Sequence, residues 1–551
     1  MNAAMNKSKL INIDITKIGG YFSLLLVCLL PFTSCKKFLD KQPQTVIPTE
    51  NYYNTEVQMN SALTGLYTTL ASDNLFAYAL WGVFGVASDE SFYRNSTLSS
   101  GPQVLNYTSS NSNIYNTWQD LYEGINRANL LLDNINKPAM NDSNRNVIKG
   151  QALFLRSFYY FLLVSNWGDV PMPLTATNSP DSLSTPRIDA KIVYDQIVND
   201  MTIADSLVAP ITNYGFGGRV SKSAVEGILA RVCLFRAGFP FTDNHSVWYA
   251  KSLYWSNKVI NSGIHSLNPS YSQVFINHCQ NKSEIKESIW EVEFYGTGIG
   301  NPYPQSSKLG SYNGISCNDM SIGYSYGLYN VPAKLFNAFP DNTALVSSDK
   351  RRDWAIGPYS FTTSSSGVTT KQNFTISSIY NRPIAKWRRE YELSANKTKN
   401  ITSINFPILR YADVLLMKAE AENELNNGPT TDDIEAVNQV RRRGFGLTIN
   451  TPSTVTDLPS GITYGSFQQA VYDERYRELC FEGLRRNDLI RWGMYVSNMK
   501  DMANFITNSA PSSFKYAAVA GNNIQNKHVL FPIPINEISL NPGIGRQNPG
   551  W

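Results

Sequence analysis

The chain reads as a mostly α protein whose helices come in pairs, with a loop-rich, partly β second part set among them. Three observations predict this class. Segments with apolar residues at three- and four-residue spacing recur as neighbours: 112–135 with 144–166, 188–207 with 221–237, and 407–425 with 431–443. Between about Gly263 and Asn405 that period largely fails, and 288–295 alternates Trp290, Val292 and Phe294 as a half-buried strand does. The 551 residues, 42% hydrophobic and 17% charged, suffice for one large core or several ordinary ones.

Taken in order, residues 50–71 form a first helix with Val57, Leu63, Leu66 and Leu70 in phase. Residues 74–94 then turn from apolar and aromatic to acidic, and their glycines predict a loop partly buried against the body. Pro138 breaks the first helix pair and Asn141-Asp142 supplies its cap, while Ser221 caps the second helix of the next pair. The pairs recur at about the length of a tetratricopeptide repeat without its strict consensus, which predicts a solenoid-like framework. The chain thus divides into a signal segment 1–34, an N-terminal helical part 35–262, an insertion 263–405 and a C-terminal helical part 406–551.

A charge-dense stretch lies late in the chain, YDERYRELCFEGLRRNDLIRWG from Tyr472 to Gly493. Tyr472, Tyr476, Leu479, Cys480 and Gly483 fall on one face of a continuous helix. On the other face Asp473 stands four residues before Arg477, and Glu482 four before Arg486, each an exposed pair worth a few tenths of a kcal/mol. Gly483 marks a point where another backbone packs closely or the helix bends. The acids read as structural rather than catalytic.

The N-terminus is a targeting segment. Lys7, Lys9 and Lys17 precede an apolar run, 21–32, that is shorter than the ~20 residues needed to span a bilayer. Thr33 and Ser34 then lead into Cys35, as at a lipoprotein cleavage site, so Cys35 is the candidate lipidated residue and first residue of the mature chain. Cys233 and Cys480 sit on apolar helical faces; a Cys279–Cys317 disulfide is permitted in an exported protein. The net charge of +4, from 48 basic against 44 acidic residues, does not point to nucleic acid.

Catalytic patterns are poorly supported. Gly323-Tyr324-Ser325-Tyr326-Gly327 matches G-x-S-x-G, with His528 downstream, but lacks the strand before and helix after that a nucleophile elbow needs. The histidines form no metal-ligand spacing, and the glycines of 296–300 are followed by no Walker lysine, so neither metal nor nucleotide cofactor is expected. Asp89 and Glu90 could belong to a carboxylate pair for glycoside hydrolysis, the leading enzymatic alternative.

The segment ERYRELCFEGLRRNDLIRWG resembles the C-terminal signature of the SusD/RagB family of surface glycan-binding lipoproteins. WQDLYEGINRANLLL from Trp118, QALFLRSFYYFLLVSNWGDVPM from Gln151, FPILRYADVLLMKAEAENEL from Phe406 and the closing FPIPINEISLNPGIGRQNPGW follow in the family's order. The resemblance implies a SusD-like fold with TPR-like helix pairs. It also implies an outer-membrane, lipid-anchored protein facing the exterior that binds oligosaccharide and passes it to a SusC-like TonB-dependent transporter, without cofactor. A peptide or glycopeptide ligand, as in the RagB branch, is the alternative within the family. Ligand contacts in the family tend to come from the loop after the first helix and from the insertion. On chemistry, Tyr78, Trp81, Asp89 and Tyr93 are the candidates in the first and Tyr312, Tyr324 and Tyr326 in the second, because aromatic rings stack on sugar C–H faces while polar groups pair hydroxyls. Trp81, with the largest face and glycines beside it, leads that set; the alternative for it is burial in the core, because Leu80, Val83 and Phe84 surround it.

Overall fold

In the computed structural model, which describes residues 52–177, 184–295, 305–394 and 397–551, the helical spacing of the sequence becomes a row of packed helices. α1 (Glu56–Leu70), α2 (Ser112–Asp133), α3 (Asp142–Trp167), α4 (Ala190–Leu207), α5 (Lys222–Ala237) and α6 (His245–Asn261) each pack on the next. The insertion carries the short helices α7 (Tyr271–Cys279), α8 (Ala333–Asn337) and α9 (Lys350–Ala355). Beyond it, α10 (Tyr411–Asn426) packs on α6 and carries α11 (Thr431–Gly444) and α12 (Tyr464–Glu478), so the row continues across the insertion. Residues Asn54–Trp551 fold as one compact unit. The signal segment, Cys35 and the glycines of 296–300 lie outside the described residues.

Local signals act where they were read. Asn141 accepts from the Ser143 amide at 2.8 Å and Ser221 from the Ala224 amide, and a cap not read from the sequence, Thr430 in a capping box with Asp433, opens α11; such caps contribute about 1 kcal/mol each. The first helix starts later than expected, at Glu56 behind the Thr55 cap, with Leu63, Leu66 and Leu70 buried but Val57 75% exposed. α6 escapes the periodicity argument because its buried face, Trp248, Ser252, Trp255, Ser256 and Val259, includes two serines. The Ser252 hydroxyl is satisfied by donating to the Ala230 carbonyl at 2.9 Å.

Two strand pairs organise the insertion. Besides the short β1 (Phe92–Tyr93), β2 (Val170–Pro171) and β3 (Arg187–Ile188), the chain forms β4 (Ser288–Val292) and β5 (Tyr329–Asn330), then the hairpin β6 (Tyr359–Thr363) and β7 (Thr369–Asn373), and β8 (Phe406–Arg410). β4 runs antiparallel to β8, Ser288 opposite Arg410 and Val292 opposite Phe406, so residues 293–405 leave and re-enter the scaffold at one place. Two expectations change here. Residues 406–410 are strand rather than helix start, and β4 is buried along its whole length rather than on alternate residues. Both sides of the strand are covered: the Trp290 ring lies 5.0 Å from Phe154 and 4.7 Å from Phe158 of α3, while Glu291 meets His278 of α7 at 3.3 Å and donates its amide to the Gly217 carbonyl at 3.0 Å.

The late charged stretch is not one helix. α12 ends at Glu478, Phe481 and Gly483 take positive φ of 67° and 75°, and α13 (Arg485–Arg491) begins after them, followed by α14 (Tyr495–Ser509). The left-handed conformation suits glycine, and the close approach expected at Gly483 is present: a Cβ on Gly85 would lie 3.1 Å from the Gly483 Cα. The ion pairs also differ from the local expectation. Arg477 pairs with Glu474 at 2.8 Å rather than Asp473, Glu482 pairs with Lys386 and Arg410, and Arg486 donates to Asn166 and the His528 carbonyl.

These residues build an ionic core. Glu478 is fully buried and takes hydrogen bonds from Arg351, Arg410 and Arg443. Arg410 also reaches Glu287 at 2.8 Å, and Arg351 reaches Glu474 and Asp349. Burial would lift the Glu478 carboxyl, but the three guanidinium groups and Lys386 hold it below the usual range. Leu479 is buried with its helical face, as are Leu415 and Leu416 of α10, and Lys418 of α10 is 9% exposed and bonded to Asp433 and Glu422. Cys279 and Cys317 are buried free thiols, so the permitted disulfide does not form; Cys233 and Cys480 are likewise free.

Candidate functional site

The segment after α1 folds inward because it is largely apolar. Residues Ala79–Phe84 wind into a wide π-helical turn, and Trp81 at its centre is 3% exposed, its Nε1 donating to the Phe76 carbonyl at 2.9 Å. Trp81 is therefore a core residue and not a stacking platform: Val83 and Phe84, close to it in sequence, are buried with it. Asp89 is corrected in the same way. Its carboxylate is fully buried and held by Arg485 through two hydrogen bonds of 2.8 and 2.9 Å. Glu90, 3% exposed, accepts from the Phe481 amide, and burial pushes its carboxyl up to about 8. Neither carboxyl of this pair faces solvent as a glycosidase pair must.

The remaining candidates converge. Lys308 donates its backbone amide to the Ala77 carbonyl at 3.0 Å, which ties the insertion to the segment bearing Tyr78. Tyr326 and Leu328 donate theirs to Ser311 and Tyr312, each at 2.7 Å, which folds the 312–326 loop back on itself. β1 pairs with β5, placing Tyr93 opposite Tyr329. In consequence Tyr78, Tyr312, Tyr326 and Tyr324 form a ladder of half-buried rings with successive centroid distances of 5.0, 5.5 and 4.9 Å, each ring roughly perpendicular to the next. Tyr93 joins through Tyr329, 5.7 Å away, whose hydroxyl lies 3.2 Å from that of Tyr78.

Burial acts on two phenols of this ladder. Burial pushes the Tyr78 phenol up to about 12 and raises that of Tyr312, so both remain hydrogen-bond donors at neutral pH. Three residues of the neighbourhood were not foreseen. Tyr329 is a fully buried hub whose hydroxyl donates to the Gly82 carbonyl. Lys399 holds its ammonium 4.6 Å from the Tyr324 ring and 5.5 Å from that of Tyr326, and Asn400 accepts from the Tyr326 hydroxyl at 2.8 Å. No local pattern marks these three; they come from strands and turns far along the chain. Ser325 of the G-x-S-x-G match is 2% exposed, bridged to Cys317 and bonded to the Ser311 carbonyl, a turn and not a nucleophile elbow. Among the described residues, no group of three or more His, Cys, Asp or Glu side chains is disposed to hold a metal.

Comparison with known proteins accounts for most of the chain. Residues 286–551 match the family model described as SusD family, and residues 37–234 the one described as starch-binding associating with outer membrane. The chain belongs to the SusD/RagB family. SusD-like protein P25 of Formosa agariphila is 26% identical over 571 aligned residues, covering 96% of this chain and 97% of that one. The starch-binding protein SusD of Bacteroides thetaiotaomicron is 24% identical, covering 82% and 81%. Among solved structures, a SusD homolog from Bacteroides thetaiotaomicron superposes with a TM-score of 0.84 at 27% identity, over 92% of this chain and 99% of the other. The mostly α, SusD-like architecture expected from the sequence is thus the observed one, and the two matched regions flank the last part of the N-terminal helical row.

Proposed function

We propose that this protein binds oligosaccharide through the Tyr78–Tyr312–Tyr326–Tyr324 ladder, at the cell exterior, and delivers it to a SusC-like TonB-dependent transporter of the outer membrane. The observation that carries the reading is the convergence of four half-buried tyrosine rings from two distant segments, Tyr78 from one and Tyr312, Tyr324 and Tyr326 from the other. Half-buried aromatic rings offer apolar surface to pyranose C–H groups, while the phenols and Asn400 offer partners to hydroxyls. The family description, starch-binding associating with outer membrane, supports both ligand class and location, and the name of the Bacteroides thetaiotaomicron relative supports the first. In this reading 35–262 and 406–551 form the scaffold, 263–405 supplies Tyr312, Tyr324 and Tyr326, and a lipid on Cys35 holds the protein on the membrane. The work is binding without turnover.

The test is calorimetry of the wild type and of Tyr312→Ala and Tyr326→Ala against malto-, laminari- and xylo-oligosaccharides, with thermal unfolding of each variant alongside. The expected result is saturable binding by the wild type to one of these glycans, no released reducing ends, and roughly tenfold or greater loss in each variant at unchanged stability. Undiminished affinity in both variants removes the ladder from the site. Peptide binding with no glycan binding selects the RagB-type alternative. Co-purification of a transporter with the tagged protein from its own membranes tests the partnership.

A further inference from the structure

A second cleft, separate from the ladder, opens between α8, α12, α13 and α14 and encloses about 310 Å³. One wall is aromatic and rigid. Trp492 stacks on Tyr472 with centroids 3.8 Å apart and planes at 24°, and the indole Nε1 is anchored to Glu420 at 2.8 Å. Phe505, 37% exposed, extends that apolar surface. The opposite lining is polar and carries unused hydrogen-bonding capacity. Asn337 is exposed with an amide bound to no described residue, Gln469 uses only its Nε2, on Asp473, and Asn498 uses only its Oδ1, accepting from Lys334 at 3.1 Å.

The floor of the cleft is the most specific part. Arg485, whose side chain is 10% exposed, commits Nε and Nη2 to Asp89 and lays its guanidinium 4.0 Å from the Tyr476 ring. Its Nη1 has no partner among the described residues, and Arg485 lines the cleft. Such a pinned, neutralised guanidinium offers a positioned donor without a net charge to attract anions. Lys334 and Asp473 balance one another in the remainder of the lining. Zero net charge, one aromatic wall and several free amide and guanidinium groups complement a small neutral molecule with an apolar face and several hydroxyls.

We propose that this cleft is a second binding site, for one neutral pyranose unit. It stands apart from the ladder: none of Tyr78, Tyr93, Tyr312, Tyr324 and Tyr326 lines it. The site therefore holds or falls independently of the function proposed above.

The experiment is saturation-transfer difference NMR titration of the full chain with the methyl glycosides of glucose, galactose, mannose, xylose and N-acetylglucosamine, and with methyl glucuronide. The variants are Asn337→Ala/Gln469→Ala and Phe505→Ala, which alter exposed side chains only, and Tyr312→Ala on the ladder. The expected result is binding of at least one neutral glycoside, weakened roughly fivefold for each hydrogen bond removed and unaffected by Tyr312→Ala. No transfer to any neutral glycoside, equal affinity in wild type and both cleft variants, or tighter binding of the glucuronide than of the glucoside each overturns the proposal. Loss on Tyr312→Ala with the cleft variants unchanged moves the sugar to the ladder and overturns it too.

Discussion

Replacing Arg410 by methionine removes one guanidinium from the ionic core while keeping most of the side-chain volume, so the cavity contribution stays small. Arg410 is 1% exposed and donates to both Glu482 oxygens at 2.7 and 2.8 Å, to Glu287 at 2.8 Å, and to Glu478 at 3.0 Å. After the change Glu482 keeps only Lys386, whereas Glu287 keeps Arg443 and Glu478 keeps Arg351 and Arg443. One carboxylate is thus left largely uncompensated rather than three, which places the cost at about 3–5 kcal/mol. Urea unfolding reads it as a lower midpoint at unchanged slope. The surface residue Lys191, 45% exposed in its pair with Asp243, serves as control, and Lys191→Met is expected to cost under ~1 kcal/mol. Adding Glu482→Gln to Arg410→Met removes the orphaned charge, so the double variant is expected to fall short of additivity by about 1–3 kcal/mol. A cost below ~1 kcal/mol for Arg410→Met, or strict additivity, refutes the claim that these charges are buried and mutually dependent.

Four further outcomes follow from particular residues. Burial opposes ionisation of Glu482 and Asp413, but Arg410 and Lys386 for the first, Arg475 and Arg231 for the second, hold both carboxyls at about 2. These depressed values give stability that is full above the unfolded carboxylate range, about 4, and lost as pH falls towards 2, measurable as a declining urea midpoint. Glu90 has the opposite sign. Burial raises it to about 8, so its contribution is full below about 4 and lost as pH rises through 8, and Glu90→Gln is expected to flatten the fall in stability between about pH 5 and 8; an unchanged slope contradicts the buried neutral acid. Trp81→Ala is expected to cost about 3–5 kcal/mol in urea unfolding, since the indole is almost wholly enclosed, in contrast to the half-buried Tyr312, whose loss affects ligand more than fold. Cys35→Ala is expected to release the protein from the membrane fraction and remove lipid mass from the N-terminal peptide; retained membrane association refutes the anchor.

The sites of the tyrosines were legible as a region, not as a geometry. The unpatterned run of aromatics in 263–405 pointed to a loop-built surface, and the structure brings Tyr312, Tyr324 and Tyr326 of that run against Tyr78. Trp81 had two readings in the sequence, exposed beside its glycines or enclosed by its apolar neighbours, and the second holds: Val83 and Phe84 fold inward with it, and the indole N–H finds a carbonyl five residues away. Tyr329, Lys399 and Asn400 carried no local signal, because their roles arise only when β5 and the 397–400 turn reach the ladder.

By itself the sequence determined what short-range physics controls. The helix pairs, their caps at Asn141 and Ser221, and the inward face of Leu479 follow from periodicity and hydrogen bonding within a few residues. Tertiary structure alone decided the break after Glu478, the burial of β4 on both faces and the partners of the charges. Local spacing paired Glu482 with Arg486, yet in the fold Glu482 meets Lys386, 96 residues away, and Arg410, 72 away. The reason is solvent: an exposed pair four residues apart gains a few tenths of a kcal/mol, whereas a carboxylate carried into the core by its neighbours needs compensation of several kcal/mol, and takes it from whichever cations the fold brings there.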